Sequence, residues 1–161
     1  MSGRKKKGQV NSIDFVSAIV IFMVLVVFLI TFWFVSINHV TRGVKENRMG
    51  AAAVSISDMM IKGPGSPKTW EQNPANAEVV GLATFPNVLS ESKIEQFALM
   101  DYNESRELMG LDYDYYFYVE SLEGNRLYES GDVGLGEQSI AVTRFAVLND
   151  EKVRLRLVVH G

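Results

Sequence analysis

The sequence predicts an α+β protein, in which a long apolar N-terminal helix precedes a small head of short helices and antiparallel strands. The first observation behind this prediction is a run of uncharged, mostly apolar residues, 15–37, that contains neither glycine nor proline. The second is a change to alternating apolar and polar residues from position 113 onward, which is typical of strands. We therefore divide the chain into a basic leader, 1–8, a long helix, 9–62, and a head, 63–161.

The apolar run has the length of a membrane-spanning helix. Its 23 residues reach roughly 34 Å at about 1.5 Å per residue, and a hydrocarbon core is about 30 Å thick. Basic residues near a span favour the cytoplasmic side. Four of them precede the run: Arg4, Lys5, Lys6 and Lys7. Three others follow it: Arg42, Lys45 and Arg48. Because long hydrophilic segments translocate largely regardless of charge, we expect a cytoplasmic N-terminus and an outer head.

A removable secretory signal is the alternative interpretation of a basic start followed by an apolar stretch. Such signals have an apolar core of about 7 to 15 residues and end in small residues. The run here is longer, and residues 32–35 near its far end are Phe, Trp, Phe and Val. The sequence therefore predicts that the helix is retained in the mature protein.

Charge is divided unevenly between the two parts of the chain. Residues 1–62 contain 8 basic and 3 acidic side chains, a net charge of +5, whereas residues 63–161 contain 8 basic and 16 acidic ones, a net charge of −8. Affinity for nucleic acid depends on Lys and Arg that neutralise phosphates, so the acidic head argues against a nucleic-acid partner. The chain has no cysteine, which excludes disulfides and thiol catalysis.

Beyond the span, helical periodicity continues with a thin apolar stripe. The stripe consists of Val40, Val44, Ala51, Val54 and Ile61, and Asp58 interrupts it. Lys62 followed by residues 63–67, which contain two glycines and two prolines, predicts the end of the helix. We expect the outer half of this helix to pack on the head. Residues 50–53, Gly-Ala-Ala-Ala, either permit close approach of another backbone or are simply good helix formers.

In the head, residues 79–82 form a short predicted strand, and Ser90 caps a predicted helix ending near Met100. A capping box that begins at Asp101 predicts a second helix ending at Gly110. The ranges 113–120, 126–129, 139–148 and 152–159 then predict an antiparallel meander of about four strands.

Several residues invite functional interpretations, each with a structural alternative. Tyr113, Tyr115 and neighbouring aromatics suit a contact surface, but the alternating set is more typical of a strand's core face. Asn103 begins an Asn-Glu-Ser glycosylation pattern, and three aspartates between 101 and 114 lack the spacing of a calcium loop. His39 and His160 are far apart in sequence. The sequence shows no catalytic, metal or cofactor motif, and we expect no enzymatic activity.

The stretch Lys6-Lys7-Gly8-Gln9-Val10-Asn11-Ser12-Ile13-Asp14-Phe15 resembles the class III signal peptide of archaeal type IV pilin-like proteins. The resemblance implies that a prepilin peptidase cuts between Gly8 and Gln9 on the cytoplasmic side and leaves the apolar helix on the subunit. It also implies self-assembly into a surface filament by an assembly ATPase and a platform protein, with membrane lipid around the helix beforehand.

One position departs from the family pattern. The family usually places its acidic residue fifth after the cut, where this chain has Ile13, and Asp14 is sixth. Asp14 therefore either attracts a neighbour's new amino terminus during assembly or is only a carboxylate near a helix start. The leading hypothesis is a pilin-like subunit for adhesion, motility or uptake. The alternative is an unprocessed single-pass membrane protein that presents an extracytoplasmic binding or sensory domain, and an anchored enzyme has little support.

Overall fold

The computed structural model describes residues 7–134, 136 and 138–161, with side chains given for 14–37 and from residue 43 onward. The predicted leader, 1–8, therefore lies largely outside the described residues. The first helix, α1, spans Lys7–Lys62. By internal contacts the chain divides into two units, Met1–Val44 and Lys45–Gly161, and each is described by itself.

The first unit carries the apolar span. Asp14–Ile37 is long and apolar enough to cross a membrane, and it is the one such helix found among the described residues. No residue in its most apolar 18-residue stretch is buried within the chain. Its large apolar side chains are exposed, and Phe15 and Trp33 are each 68% exposed. An exposed apolar surface of this size marks a site of contact with a membrane or with another protein.

The second unit combines the C-terminal part of α1 with two further α-helices, two short 3-10 helices and a six-stranded mixed sheet, which confirms the α+β class. The α-helices are α2, Glu91–Leu99, and α3, Tyr102–Leu108, and the 3-10 helices are Trp70–Gln72 and Pro74–Asn76. The strands are β1, Ala83–Phe85; β2, Val88–Leu89; β3, Asp114–Ser121; β4, Arg126–Gly131; β5, Ser139–Leu148; and β6, Glu151–His160. Their order across the sheet is β1-β2-β5-β6-β3-β4.

The four predicted C-terminal strands are all present, but their order is not that of a meander. In a meander β4 would pair with β5, whereas β6 lies between β5 and β3 and is antiparallel to both. In this central position the inward side chains of β6, Val153, Leu155, Leu157 and Val159, are all buried. They lie beside the side chains of both neighbouring strands, and such cross-strand pairs stabilise a sheet.

The predicted strand at 79–82 is wrong, because the backbone of this segment bonds to residues outside the sheet. Leu82 N donates to Met60 O, in the last turn of α1, at 2.9 Å, and Gly81 O accepts from Trp70 Nε1 at 2.9 Å. Val79 forms only an isolated bridge with Ser66. The first strand therefore begins at Ala83, one residue beyond the predicted range.

The C-terminal part of α1 packs on the sheet as expected, but through a different face from the predicted stripe. Val44 and Val54 are 47% and 46% exposed. The buried positions recur at helical spacing and are Met49, Ala53, Ile56 and Met60. The two methionines, which the predicted stripe omitted, fill the core with flexible apolar side chains. Of the predicted stripe, Ile61 is buried.

The predicted helix ends are confirmed in part. Helix α1 ends at Lys62, directly before the glycine- and proline-rich segment. Asp101 caps α3, because its Oδ1 accepts from Asn103 N at 2.9 Å and from Glu104 N at 3.3 Å. Ser90 precedes α2 but makes no side-chain capping bond, and its Oγ lies 3.0 Å from Ser92 Oγ instead. The predicted side-chain cap at Ser90 is therefore wrong.

Candidate functional site

The proposed processing site lies at the start of α1. The backbone of Gly8 and Gln9 belongs to this helix, and the side chain of Gln9 is not among those described. Asp14 is exposed. Because α1 begins at Lys7, Asp14 lies in its third turn, whereas the helix dipole acts within the first turn. The assembly role of Asp14 and its interpretation as a carboxylate near a helix start both stay predictions.

The glycosylation pattern at Asn103 lies within α3. Asn103 is exposed, but Ser105, the third residue of the pattern, is fully buried. Ser105 Oγ donates to Tyr102 O at 2.9 Å and lies 2.5 Å from Tyr115 Oη. An enzyme that reads the serine hydroxyl cannot reach it in the folded head, so modification at Asn103 would have to precede folding.

Two of the three aspartates considered for calcium have other roles. Asp101 caps α3, and Asp114 accepts from Tyr102 Oη at 2.7 Å and from Arg106 Nη1 at 2.9 Å. The hydrogen bond from Tyr102 and the guanidinium of Arg106 lower the pKa of Asp114. Among the described residues no group of three His, Cys, Asp or Glu side chains is placed to hold a metal ion.

The aromatic strand β3 forms the centre of the core. Tyr115, Phe117 and Val119 are fully buried, and Phe97 of α2 meets the Phe117 ring edge-on at 5.2 Å between centroids. These rings are therefore core residues, as the structural interpretation predicted, and are not available for surface contact. On the opposite face, Tyr116 donates to Glu129 Oε2 at 2.6 Å.

The outer face of β3 and β4 carries a small polar cluster that sequence reasoning missed. The guanidinium of Arg126 lies over the Tyr118 ring, 4.0 Å from its centroid, and also bonds to Tyr116 Oη. Arg126 Nη1 lies 3.2 Å from Glu129 Oε2. The hydrogen bonds from Tyr116 and Arg126 lower the pKa of Glu129, while desolvation and the Glu129 hydrogen bond raise the pKa of Tyr116. The pairing of β3 with β4 brings these residues together. No local sequence motif predicts this cluster, because its members lie on different strands.

A polar contact also joins α1 to β5 within the second unit. Arg144 Nη2 lies 2.9 Å from Asp58 Oδ1, and Arg144 Nε donates to Ser57 Oγ at 3.2 Å. Lys62 Nζ lies 2.6 Å from the other oxygen of Asp58. The Lys62 hydrogen bond and the charge of Arg144 lower the pKa of Asp58 against the opposing effect of desolvation. The residue that seemed to interrupt the apolar stripe therefore holds the sheet to the helix.

Replacing Arg144 with methionine is expected to lower the melting temperature most at neutral pH. A carboxylate with a lowered folded pKa contributes stability above its unfolded pKa of about 3.9 and loses it as the pH falls through the folded pKa. The difference between Arg144→Met and the parent should therefore shrink between pH 7 and pH 3. Thermal unfolding of the full chain in detergent measures this, with Arg48→Met, an exposed position on α1, as the matched control. An equal difference at both pH values would contradict the role of Asp58.

Comparison with protein-family models, with curated proteins and with solved structures finds no match to this chain. Its function is therefore inferred from the residues and geometry described above.

Proposed function

We propose that this chain is a type IV pilin-like subunit of a cell-surface filament, inserted in the membrane by its N-terminal helix and assembled through it. The observation that carries the proposal is the exposed apolar surface of Asp14–Ile37. No residue in its most apolar 18-residue stretch is buried within the chain. Such a surface is stable only in apolar surroundings. Membrane lipid supplies these before assembly, and neighbouring copies of the same helix supply them in a filament core.

The order of features along the chain supports the proposed topology. Four basic residues precede the span and three follow it, and the long hydrophilic head can translocate largely regardless of its charge, which favours an N-terminus in the cytoplasm and a head outside. A prepilin peptidase would then meet the junction between Gly8 and Gln9 on the cytoplasmic side. An assembly ATPase and a platform protein would move the cut subunit from the membrane into the filament.

The head is suited to a position on the outside of such a filament. Its core is formed by α1 residues from Met49 to Ile61 together with the sheet, so the helix that enters the filament is anchored in the domain that remains outside. Because the chain has no cysteine, no disulfide contributes to the stability of the head, which comes from this packing together with polar contacts such as Asp58–Arg144. In this position the head provides contacts for adhesion, motility or uptake.

The first experiment determines the mature N-terminus and looks for filaments. The full chain is produced together with an archaeal prepilin peptidase and assembly machinery, and its N-terminal peptide is identified by mass spectrometry. We expect a start at Gln9 and filaments of this chain in the sheared surface fraction by electron microscopy. A start at Met1, with all of the protein in the membrane fraction, would reject the proposal in favour of an unprocessed single-pass protein with an extracytoplasmic binding or sensory domain.

A further inference from the structure

A cavity opens on the outer face of the sheet, on the side away from the buried part of α1. Its volume is about 350 Å³, which lies within the range of roughly 300 to 1,000 Å³ for ligand pockets. Its wall includes two tyrosines, two arginines, a serine and a valine: Tyr116, Tyr118, Arg126, Arg156, Ser139 and Val158. The buried His160 also lines it.

Arg156 on β6 differs from the other arginines of the head. Four of them pair with a carboxylate: Arg106 with Asp114, Arg126 with Glu129, Arg144 with Asp58, and Arg154 with Glu120. Arg156 forms no ion pair within the part of the chain that the structure describes. The Nε atoms of Arg154 and Arg156 are both buried without a hydrogen bond, but Arg154 Nε lies 3.1 Å from Glu120 Oε1. Arg156 Nε has no such carboxylate among the described residues, although the side chain lines the cavity.

The position of Arg156 in the sheet explains why its own neighbours do not satisfy it. In the register of β6, Arg156 lies opposite Tyr118 on one side and Thr143 on the other, neither of which carries a charge. A buried donor without a partner is costly, and native proteins rarely contain one without a reason. A ligand that accepts a hydrogen bond in the cavity would supply the missing partner.

The charge of the cavity defines the ligand's charge. Arg126 pairs with Glu129, and the ring of His160 lies 3.0 Å from the backbone carbonyl of Asp132. Among the described residues that line the cavity, Arg156 is therefore the one guanidinium without a carboxylate partner. One unpaired guanidinium matches a monoanion better than a dianion. Its planar fork of N–H donors matches the two oxygens of a carboxylate.

We propose that this cavity binds a hexuronate, a sugar that carries one carboxylate, with the carboxylate on Arg156. Ser139 offers a hydroxyl to the ring hydroxyls of the sugar, and Val158 offers an apolar surface to its C–H groups. The cavity accommodates one sugar ring, either free or as a unit of an acidic polysaccharide. This binding is separate from the proposed filament function and does not require that filaments form.

The experiment measures binding to the full chain in detergent. D-Glucuronate, D-galacturonate and a short oligogalacturonate are titrated while the arginine Nε–H resonances are followed by NMR. We expect a saturable shift of the Arg156 Nε–H signal with the uronates. Neutral D-glucose, acetate and inorganic phosphate should each bind at least several-fold more weakly, since each lacks the carboxylate, the sugar ring or both. Tighter binding of the oligogalacturonate than of the monosaccharides assigns the site to a polysaccharide, and equal affinities assign it to the free sugar acid.

A matched pair of variants tests the assignment to Arg156. Arg156→Gln should weaken uronate binding about tenfold or more, because a charge-assisted hydrogen bond is lost. Arg154→Gln makes the same change two residues earlier on the same face of β6, where the arginine already pairs with Glu120, and it should retain binding. If Arg156→Gln does not fold, Arg156→Lys keeps the charge, loses the planar fork, and should bind at an intermediate affinity.

Four results would overturn the proposal. They are the lack of a saturable shift in the folded parent chain, equal affinity for D-glucose and D-glucuronate, phosphate binding as tight as uronate binding, and equal loss in Arg154→Gln and Arg156→Gln. Wild-type affinity in Arg156→Lys would overturn the bidentate contact in the same way. Circular dichroism and thermal unfolding of each variant establish that the head is folded before its affinity is compared.

Discussion

Replacing Gly8 with phenylalanine is expected to leave the chain uncut and to abolish surface filaments. The resemblance to class III signal peptides implies a cut directly after this glycine, and a bulky side chain there should not fit a peptidase that accepts glycine. The uncut chain keeps the four basic residues 4–7 ahead of the apolar span. Burying these charges among packed apolar helices is costly, so the uncut subunit should remain in the membrane. Mass spectrometry of the N-terminus and imaging of the sheared fraction give the two results.

A second glycine in the leader provides the matched control. Gly3→Phe makes the same change five residues earlier and should be cut and assembled like the parent chain. The head should fold in both variants, because residues 1–8 belong to a different unit from Lys45–Gly161. Filaments built from uncut Gly8→Phe subunits would contradict the link between processing and assembly. A mature N-terminus at Gln9 in the Gly8→Phe variant would reject the proposed recognition of glycine.

Those parts of the fold that depend on local chemistry could be predicted from the sequence. The end of α1 at Lys62 follows from the glycines and prolines that come next, which cannot continue a helix. The cap at Asp101 needs only backbone groups two and three residues away. The alternation in β3 places Tyr115 and Phe117 in the core whichever strands lie beside it.

Features that depend on distant partners could not be predicted in the same way. The face of α1 that is buried is selected by the sheet beneath it, and methionines fit that surface although they do not stand out in a hydrophobic pattern. The place of β6 between β5 and β3 is a choice among pairings that all satisfy the same alternation. The backbone N–H of Leu82 bonds to Met60 O in α1 rather than to a strand, and nothing local distinguishes the two partners.

The polar contacts of the head also join residues that are distant in the sequence, so they could not be predicted from it. Asp58 and Arg144 are 86 residues apart in sequence, and Arg156 stands out only because the other four head arginines have carboxylate partners in three dimensions. Gly8, Gln9 and Asp14 could be selected from sequence because a processing signal is read as a linear segment. Whether they act as the resemblance implies stays a prediction.

Lys93 on α2 is a buried lysine that secures the segment after α1 to the head. Its side chain is 4% exposed, and its Nζ donates at 2.6 Å both to Pro64 O and to Lys68 O. The carboxylate of Glu71 lies 3.1 Å from the same nitrogen. The Trp70 ring centroid is 5.8 Å away. One ammonium group therefore donates hydrogen bonds to two carbonyls of this segment and forms an ion pair, without a hydrogen bond, with the carboxylate of Glu71.

Lys93→Met is expected to lower the free energy of unfolding of the head by about 3 to 5 kcal/mol, which is the range observed when one partner of a buried ion pair is removed. Methionine fills a similar volume, so the loss comes from the polar groups left behind: two carbonyls and the carboxylate of Glu71, whose side chain is 16% exposed. Denaturant unfolding of the full chain in detergent measures the change. A Trp33→Phe background leaves Trp70, which is fully buried, as the sole indole reporter.

Two further variants separate the buried contact from the loss of a charge. Lys68→Met removes an exposed lysine from the same segment but keeps its backbone carbonyl, and it should change stability by less than about 0.5 kcal/mol. Adding Glu71→Gln to Lys93→Met removes the unpaired carboxylate and should recover part of the loss, because the neutral amide is less costly to bury than the charge. If Lys93→Met unfolds at the same denaturant concentration as Lys68→Met, the ammonium group does not stabilise this segment.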